Sequence, residues 1–584
     1  MTGVAAREAE EATEEDAVAN EAPTSVRDRS ESEAPREPFH VRRRGPLLAV
    51  AGGAVAALAT PPFDVFPLMF VGLGLLGLSL RDITPERKHG FWPGFAHGML
   101  WGTAGQIIVL RFVPDVIMRF TDLGAGLGYL ALVLLAMGQS VHWALGLGLA
   151  GLLRKRLGAP LELALGAGVL LALTIPNIFV WSPAGLLSPW PILVQLADLV
   201  GERGVSVLIA IVGLLTVRAV WGTVGERRFH RPSALLGAGA LAILSVMLGY
   251  GAWATSAHRR AITEGETARI ALVNAAVPPR DRWERKNWPT ILSRLRNLTG
   301  AAETTGVDLT IWPEAAYPYP LPHGSLRGPR GKRQILGGNA RGPVLFGYIA
   351  HAPGFKRDDG TVERNSFNSA ALITEGRRLS LSYDKMELLW FGETVPLGEH
   401  LPWLRRAFQR SGGLIPGEEL RGLSLPRAGK PALKLGVFNC YEDTLPGFGR
   451  EVMAAVEPNL LVNVTNDAWF VGSEEADLHL RLSAMRAIEL RRDLVRAVNM
   501  GVPAWIDATG TVRMRNDYPL DGYISVEASL REGGPTPYAR FGDGTMWGVL
   551  GIGIALAWRR AKRRGRDPDR DREVAGDDSP TSSR

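Results

Sequence analysis

The sequence predicts an α-helical membrane bundle of about eight spans joined to a layered α/β domain that lies outside the cytoplasm. Three observations support this fold class. Long apolar runs recur before residue 256, and one more follows residue 540. Between them, short apolar strands alternate with amphipathic helical stretches. Basic residues cluster in alternate loops between the apolar runs, which indicates a direction of membrane insertion.

Composition narrows the class of protein. The chain has 584 residues, too many for one domain, and 46% of them are hydrophobic. A single cysteine excludes a disulfide framework and a thiolate zinc cluster. The ten histidines show no metal-binding spacing, so we predict no metal site and no cofactor. The net charge of +7 comes from basic residues beside apolar runs, which indicates membrane topology rather than binding to nucleic acid.

The apolar runs are candidate membrane spans. Any single run has an alternative as a buried helix of a soluble core, but so many long runs would need a very large core. The first two runs are short and are separated by Pro61-Pro62. Residues 181–200 are apolar but interrupted by prolines, and we predict that they lie on the outer membrane surface. The spans are predicted near residues 46–60, 65–80, 93–113, 124–153, 160–181, 204–222, 233–254 and 543–558.

Basic residues determine the predicted orientation and the divisions of the chain. Those at 42–44, 154–156 and 559–564 fall on one side of the membrane, so the positive-inside rule places both termini in the cytoplasm. Both tails have few large apolar residues and are predicted to be disordered. The predicted divisions are a disordered cytoplasmic tail over 1–41, transmembrane helices 1–7 within 42–255, the extracytoplasmic domain over 256–540, transmembrane helix 8 over 541–558 and a disordered basic cytoplasmic tail over 559–584.

The extracytoplasmic part alternates between strand and helix patterns, which is typical of a layered α/β domain. Helices are predicted near 284–305 and over the amphipathic stretch 475–497. Strands are predicted at 268–273, 309–312, 344–349, 369–374, 433–438, 460–464, 504–506 and 523–526.

Cys440, the only cysteine, directly follows the apolar run 433–438. A side chain at the end of a buried strand is held by the sheet and open to a cleft. Most free cysteines are simply small buried hydrophobic residues, and that interpretation stays open on position alone. Because Glu442 and Asp443 follow at once and polar groups end other predicted strands, we interpret Cys440 as a nucleophile.

Glu314 and Lys385 are the other candidates at strand ends. Glu314 closes the apolar strand at 309–312 after a proline, and Lys385 lies in a Tyr-Asp-Lys-Met-Glu stretch. A thiol needs a base to become a thiolate, and a carboxylate shielded from water can serve. A tetrahedral intermediate needs an ammonium group or N–H donors near its oxygen. Taken singly, Glu314 is better interpreted as a surface acid and Lys385 as a solvated cation.

Together, these residues and their neighbours resemble the nitrilase (carbon–nitrogen hydrolase) superfamily over about residues 267–530. The resemblance implies an α-β-β-α sandwich, with Glu314, Lys385 and Cys440 as the catalytic set. The Phe-Gly-Glu of 391–393 is similar to the segment after the lysine in that superfamily, and it implies Glu393 as a supporting acid.

With the membrane spans, the chain resembles more narrowly the apolipoprotein N-acyltransferase family. Further matches are the Asn-Asp-Ala-Trp-Phe of 466–470 and the run from 485 to Gly501. The resemblance implies that Trp283, Tyr441 and Glu442 support activity or contact substrate. The chain departs from the family pattern at 274–279 and at 389–390, and we expect the loops there to shape lipid access differently.

The family resemblance implies transfer of a fatty acyl chain through a cysteine thioester. The implied donor is a phospholipid, and the implied acceptor is the α-amino group of a diacylglyceryl-cysteine apolipoprotein. The implied location is the bacterial inner membrane, and we expect a monomer that binds no nucleic acid. Two alternatives stay open. One is a membrane-tethered amidase or nitrilase that acts on small amides. The other is a transporter or scaffold with an inactive domain, which predicts loss of a catalytic residue, although all three are present.

Overall fold

The computed structural model of the protein describes ten stretches of the chain. They are residues 44–85, 88–120, 124–226, 231–356, 362–363, 365–390, 392–395, 400–401, 413–517 and 520–564. The tail predicted over 1–41 lies outside the described residues, as does the C-terminal tail from residue 565 onward. Residues 559–564 were predicted to belong to that tail, but they complete the last helix instead.

Apolar helices form the N-terminal half. Glycine lets them approach closely: a Cβ on Gly53 would lie 2.0 Å from the carbonyl oxygen of Trp101, and a Cβ on Gly213 would lie 2.0 Å from that of Phe70. The helices are α1 (Arg44–Ala57), α2 (Pro67–Ser79), α3 (Phe91–Val109), α4 (Val113–Phe120), α5 (Ala125–Leu157), α6 (Leu161–Thr174), α7 (Pro183–Leu186), α8 (Ala197–Glu226) and α9 (Arg231–Glu264).

Within the described residues, three helices are long and apolar enough to cross a membrane: Ala125–Leu157, Ala197–Val224 and Arg231–Ala261. A fourth candidate is the pair Phe91–Val109 and Val113–Arg119, which is bent by 54° at a short break. Helices α1, α2 and α6 are apolar but shorter. The prediction of an apolar helical bundle is confirmed at this level, and the number of eight spans stays a prediction.

Two mixed β-sheets form the domain that follows. The first has the order β16-β1-β2-β4-β7-β8, with β3 beside β4 and β9 beside β7, and the second has the order β10-β11-β12-β13-β14-β15. The strands of the first sheet are β1 (Thr267–Asn274), β2 (Leu309–Ile311), β3 (Leu321–Pro322), β4 (Val344–His351), β7 (Ser366–Thr374), β8 (Arg378–Leu379), β9 (Tyr383–Asp384) and β16 (Gly522–Ser529). Those of the second are β10 (Leu423–Arg427), β11 (Lys430–Asn439), β12 (Leu460–Asn466), β13 (Leu494–Asn499), β14 (Ala504–Ile506) and β15 (Val512–Arg515). A separate hairpin pairs β5 (Phe355–Lys356) with β6 (Val362–Glu363).

The two sheets share one apolar core, so the domain is a sandwich. Ile270 and Leu345 of the first sheet and Val437 and Val462 of the second belong to the same buried cluster. Each such side chain stabilises the fold by about 1.5–3 kcal/mol relative to exposure. Helices cover the outer faces, as the predicted α-β-β-α layering requires. They are α11 (Trp288–Glu303) beside the first sheet, and α12 (Pro446–Val456) and α13 (Glu475–Leu490) beside the second. Two short helices, α10 (Pro279–Trp283) and α14 (Pro537–Phe541), precede α11 and follow β16.

Each predicted strand corresponds to an observed one, with bounds that differ by a few residues. The helix predicted over 475–497 is wrong in its last part. Helix α13 ends at Leu490, Arg491 adopts a left-handed φ of 50°, and Leu494–Asn499 forms β13 between β12 and β14. The sequence pattern suggests a longer helix because β13 contains an arginine and an asparagine, which resemble the polar face of an amphipathic helix. In the structure, every residue of β13 is buried.

Ion pairs link the bundle to the α/β domain. The guanidinium of Arg486 in α13 is fully buried, 2.5 Å from Glu202 Oε2 of α8 and 2.9 Å from Glu489 Oε2. Arg491 Nη2 lies 2.6 Å from Asp198 Oδ2, also of α8. Residues 181–200, predicted to lie on the membrane surface, are mostly buried and bond the domain through side chains such as Ser188. The last helix, α15 (Gly544–Arg564), returns the chain to the bundle and packs against α6.

Candidate active site

Cys440 lies where β11 ends, in a tight turn over Cys440–Thr444. Its φ of 57° is left-handed, which costs a non-glycine residue about 1 kcal/mol or more unless its neighbours hold it. The side-chain amide of Asn463 donates to the carbonyl of Cys440 at 2.7 Å. Cys440 is a free cysteine and is half-buried at the end of this strand.

Glu314 reaches the same place from the other sheet. It follows β2 after Trp312-Pro313, and its side chain is 10% exposed. Its Oε1 accepts a hydrogen bond of 2.6 Å from Asn368 Nδ2 and lies 3.8 Å from Lys385 Nζ. Burial raises the pKa of Glu314, while the nearby Lys385 charge opposes the rise. A carboxylate with a raised pKa is better suited to accept a proton near neutral pH.

Lys385 directly follows the short strand β9 and is 1% exposed. Its Nζ lies 2.7 Å from Glu393 Oε2 and 5.4 Å from the centre of the Tyr441 ring. Burial alone would lower the pKa of Lys385, but Glu393 and then Glu314 outweigh it and raise the pKa above the usual value. The ammonium group therefore stays charged, which an oxyanion partner requires.

The Cys440 thiol is close enough to Glu314 and Lys385 for their charges to change its pKa. Burial raises the pKa of Cys440, the charge of Glu314 raises it further, and Lys385 opposes the rise. A buried thiol beside a carboxylate is protonated at rest. The structure thus brings together Glu314, Lys385 and Cys440, which the sequence places 126 residues apart from first to last (440 − 314). Their arrangement requires a base to form the thiolate.

Glu442 joins the segment after Lys385 to the turn at Cys440–Thr444. Its carboxylate is fully buried and accepts hydrogen bonds from the Tyr383 hydroxyl at 2.5 Å and from the backbone N–H of Met386, Glu387 and Asn439 at 2.8, 3.0 and 2.7 Å. Burial raises the pKa of Glu442 to about 7, although Lys385 and these donors oppose it. Glu442 therefore fixes the geometry of the site and has no free oxygen for substrate.

Tyr441 and Glu393 also lie in the site. The Tyr441 hydroxyl donates to the carbonyl of Leu388 at 3.1 Å, so the ring is held beneath Lys385. Glu393 accepts from Asn368 Nδ2 at 3.0 Å and from the backbone N–H of Leu389 at 3.0 Å. These contacts position Lys385 rather than the thiol.

Asn368 was missed by the sequence interpretation. Its amide bridges Glu314 and Glu393, and its backbone carbonyl accepts from the N–H of Lys385 at 2.8 Å. The available signal was a polar amide in the middle of the buried run of β7, where an apolar side chain would be expected.

Trp283 ends the short helix α10, and its side chain lies outside the described residues. Its neighbour Arg282 lines a cavity of about 10 Å³ with Glu314 and Asn499, enough for one water molecule. The charge of Arg282 is a further influence that lowers the pKa of Glu314. Asn499 holds the 275–277 loop through both the N–H and the carbonyl of Val277, at 2.9 Å each.

A second group of titratable side chains lies next to the turn at Cys440–Thr444. Donor atoms of Asp467, Glu475 and His479 lie within 4.8 Å of one another, a set that could hold a divalent cation. The sequence interpretation predicted no metal site and gave these residues no role. Asp467 belongs to the Asn-Asp-Ala-Trp-Phe match, but the spacing of His479 from it matches no metal motif.

A carboxylate, a buried ammonium group and a thiol at strand ends of a two-sheet sandwich are typical of carbon–nitrogen hydrolases. The family model described as "Carbon-nitrogen hydrolase" matches residues 269–538. The model described as "Apolipoprotein N-acyltransferase N-terminal domain" matches residues 52–215, within the helical bundle.

Curated relatives with the name of this second family match the chain over nearly their whole length. A protein named "Apolipoprotein N-acyltransferase" from Azotobacter vinelandii is 31% identical over 89% of this chain and 96% of its own. Proteins of that name from Bradyrhizobium diazoefficiens and Geobacter metallireducens are 30% and 28% identical, over 88% and 89% of this chain and 95% and 96% of theirs. The chain belongs to the apolipoprotein N-acyltransferase family.

Proposed function

We propose that the protein is an apolipoprotein N-acyltransferase of the bacterial inner membrane, which transfers a fatty acyl chain from a phospholipid to the N-terminal α-amino group of a diacylglyceryl-cysteine apolipoprotein. Family membership supports the overall reaction. The observation that carries the proposal for the site is the convergence of Glu314 and Lys385 on the only cysteine of the chain.

In the first step, Glu314 takes the proton from the Cys440 thiol, and the thiolate attacks the carbonyl carbon of a phospholipid ester. Lys385 and the backbone N–H of Tyr441 stabilise the oxyanion that forms. The intermediate collapses with cleavage of the ester C–O bond. The lysophospholipid oxygen leaves with the proton from Glu314, and a thioester remains on Cys440.

In the second step, the α-amino group of the acceptor attacks the thioester carbonyl and gives a proton to Glu314. The C–S bond breaks, an amide forms, and the Cys440 sulfur takes the proton back. A thioester is more reactive toward an amine than the original ester, which favours a cysteine for this two-step transfer.

The attached bundle supports lipid substrates. The loop after Asp467 contacts the bundle directly, because Arg119 Nη1 donates to the carbonyl of Val471 at 2.8 Å and the Phe112 and Phe470 rings lie 5.8 Å apart. A site held beside a bilayer meets lipid-anchored substrates at high effective concentration. Water must be excluded from a thioester, and apolar loops at 386–391 and 403–417 are our candidates for that role. Residues 391 and 402–412 lie outside the described residues.

We also propose eight crossings with both termini in the cytoplasm, so that the α/β domain is periplasmic. The basic last turn of α5, with Arg154, Lys155 and Arg156, supports this orientation. That turn forms the C-terminal end of α5. The N-terminal end of α5 lies near α4, and Arg119 of α4 contacts the α/β domain. A monomer is sufficient, since one chain supplies all three proposed catalytic side chains.

The test uses purified full-length protein in vesicles that contain a phospholipid with a labelled acyl chain and a synthetic diacylglyceryl-cysteine peptide. We expect label on the peptide amine with the wild type and none with Cys440→Ala. Glu314→Gln should not form the acylated enzyme. Label transfer by Cys440→Ala, or normal enzyme acylation in Glu314→Gln, would refute the assigned roles.

The same preparation tests the amidase alternative. Hydrolysis of short soluble amides without phospholipid, together with no transfer of label to the peptide, would replace the acyltransferase by a membrane-tethered amidase.

A further inference from the structure

His479 lies between two carboxylates behind the nucleophile. Its Nε2 is 2.9 Å from Asp443 Oδ1, and its Nδ1 is 3.3 Å from Asp467 Oδ1. All three side chains are at most 4% exposed. A neutral imidazole carries one N–H and can donate to only one of them, whereas an imidazolium donates to both.

The surrounding charges favour the imidazolium. Burial and the Arg496 charge lower the pKa of His479, but Asp443 and Asp467 outweigh them and raise it to about 10. The third nearby acid is Glu475, whose pKa is raised to about 8 by burial and then by Asp467.

This cluster holds both segments that flank the thiol. Asp443 belongs to the same turn as Cys440, three residues along the chain. Asp467 follows β12, where the hydroxyl of Thr465 donates to Asp467 Oδ1 at 3.4 Å and lowers the pKa of the Cys440 thiol. A bridge between Asp443 and Asp467 therefore fixes the left-handed turn of Cys440 against β12.

The cluster also acts on the thiol through charge. The carboxylate of Asp467 is close enough to raise the pKa of Cys440. A cation hydrogen-bonded to Asp467 offsets that effect and favours the thiolate. His479 lies in helix α13, whereas Lys385 follows β9 of the first sheet, so the cation beside Asp467 is separate from Lys385.

We propose that His479, held as an imidazolium between Asp443 and Asp467, is a positioning residue that sets the geometry and the proton affinity of the Cys440 thiol. The inference rests on the proposed role of Cys440 as nucleophile and deepens it. A divalent cation on Asp467, Glu475 and His479 is the competing occupant of the same cluster, and the test below separates the two.

The test measures the rate of alkylation by iodoacetamide against pH in full-length protein in detergent. Because Cys440 is the only cysteine, the rate reports on this thiol alone and does not depend on acyl transfer. Failure of the proposed acyltransferase activity would leave this measurement intact, so the two proposals can fail separately.

Removal of the His479 imidazole and removal of the Asp467 carboxylate should shift the profile in opposite directions. We expect His479→Gln to raise the midpoint of the profile by about one pH unit, which slows alkylation below the midpoint about tenfold. Asp467→Asn should lower the midpoint, and the double variant should lie between the two single variants. Simple loosening of the site would instead shift both single variants in the same direction, and that result would overturn the proposal.

The matched control is His142→Gln in α5, a buried histidine whose Nδ1 bonds a backbone carbonyl, that of Ala172, at 2.9 Å. It should leave the alkylation profile unchanged. If His479→Gln does not fold, Asp467→Asn alone decides: faster alkylation supports the proposal, and slower or unchanged alkylation refutes it. One equivalent of a divalent metal in the purified wild type, measured by elemental analysis, would overturn the imidazolium in favour of a metal site.

Discussion

Two buried clusters in this molecule have the same charges but different surroundings. In one, Lys385 lies between Glu314 and Glu393; in the other, Arg486 lies between Glu202 and Glu489. Each cluster contains one cation, one carboxylate near it in the chain and one carboxylate from a distant segment. A buried Glu–cation–Glu group is therefore not by itself a sign of catalysis.

The differences lie in access and in the neighbouring groups. Glu314 and Glu393 keep 10% and 15% of their side chains exposed, and Glu314 is close enough to the Cys440 thiol to raise its pKa, whereas Glu202, Arg486 and Glu489 are completely enclosed. The enclosed cluster joins α8 of the bundle to α13 of the α/β domain. Catalytic groups must meet substrate, so the partly open cluster fits chemistry and the closed one fits the docking of the two parts.

Replacement of the cation at the open cluster should have the largest effect on activity. We expect Lys385→Met to lower the rate of enzyme acylation by a factor on the order of 10⁴, because the oxyanion loses its ammonium partner. The variant should remain folded, since Glu314 and Glu393 are partly exposed and keep Asn368 as a hydrogen-bond donor. The measurement is single-turnover acylation of Cys440, and a rate within tenfold of the wild type would contradict the distinction between the clusters.

The matched replacement at the enclosed cluster should act on stability. Arg486→Met leaves Glu202 and Glu489 buried without a cation, and we expect a loss of about 3–5 kcal/mol in the free energy of unfolding. Denaturant unfolding in detergent measures it. The folded fraction should still acylate Cys440 within a few-fold of the wild type. A loss of chemistry with unchanged stability would reverse the roles assigned to the two clusters.

Asn368 tests how the open cluster is tuned. Asn368→Leu removes the donor to Glu314, and loss of that bond should raise the pKa of this carboxyl further. The acid limb of the acylation rate should therefore move to higher pH, by about one unit, with about tenfold slower acylation below it. An unshifted limb would mean that Glu314 is not the group that titrates in the rate.

Glu202→Gln should give the smallest effect, and it should depend on pH. Burial, and after it the Glu202 charge, raise the pKa of Glu489 to about 8, although Arg486 opposes the rise. The folded state thus binds a proton that the unfolded chain releases near pH 4.5, so stability falls as pH rises toward 8. Without the Glu202 charge, this fall should become smaller by about 1 kcal/mol. Unfolding curves at pH 5 and pH 8 measure it, and an equal or steeper fall in the variant would contradict the account.

The elements that the sequence predicted are those whose signal is local. Cys440 and Glu314 follow apolar strands at once, and the family resemblance selects Lys385 between them. The alternation of strands and helices predicts a layered α/β domain, and the family resemblance implies the sandwich.

The features that were missed depend on contacts between distant segments. Asn368 resembles any polar residue of a strand until the fold places Glu314 and Glu393 on its amide. His479 and Arg486 lie in a helix whose polar residues suggest a solvent-exposed face, yet both are buried by partners far away in the chain. Strand β13 was predicted as helix for the same reason, since its polar residues are buried among the neighbouring strands.

The central claim is that the only thiol of the chain carries the acyl group. Mass spectrometry of the protein, purified after incubation with phospholipid vesicles and no acceptor, tests it most directly. We expect one fatty acyl adduct on Cys440 that hydroxylamine removes and that is missing from Glu314→Gln. An adduct on any other residue, or one that resists hydroxylamine, would contradict the thioester mechanism.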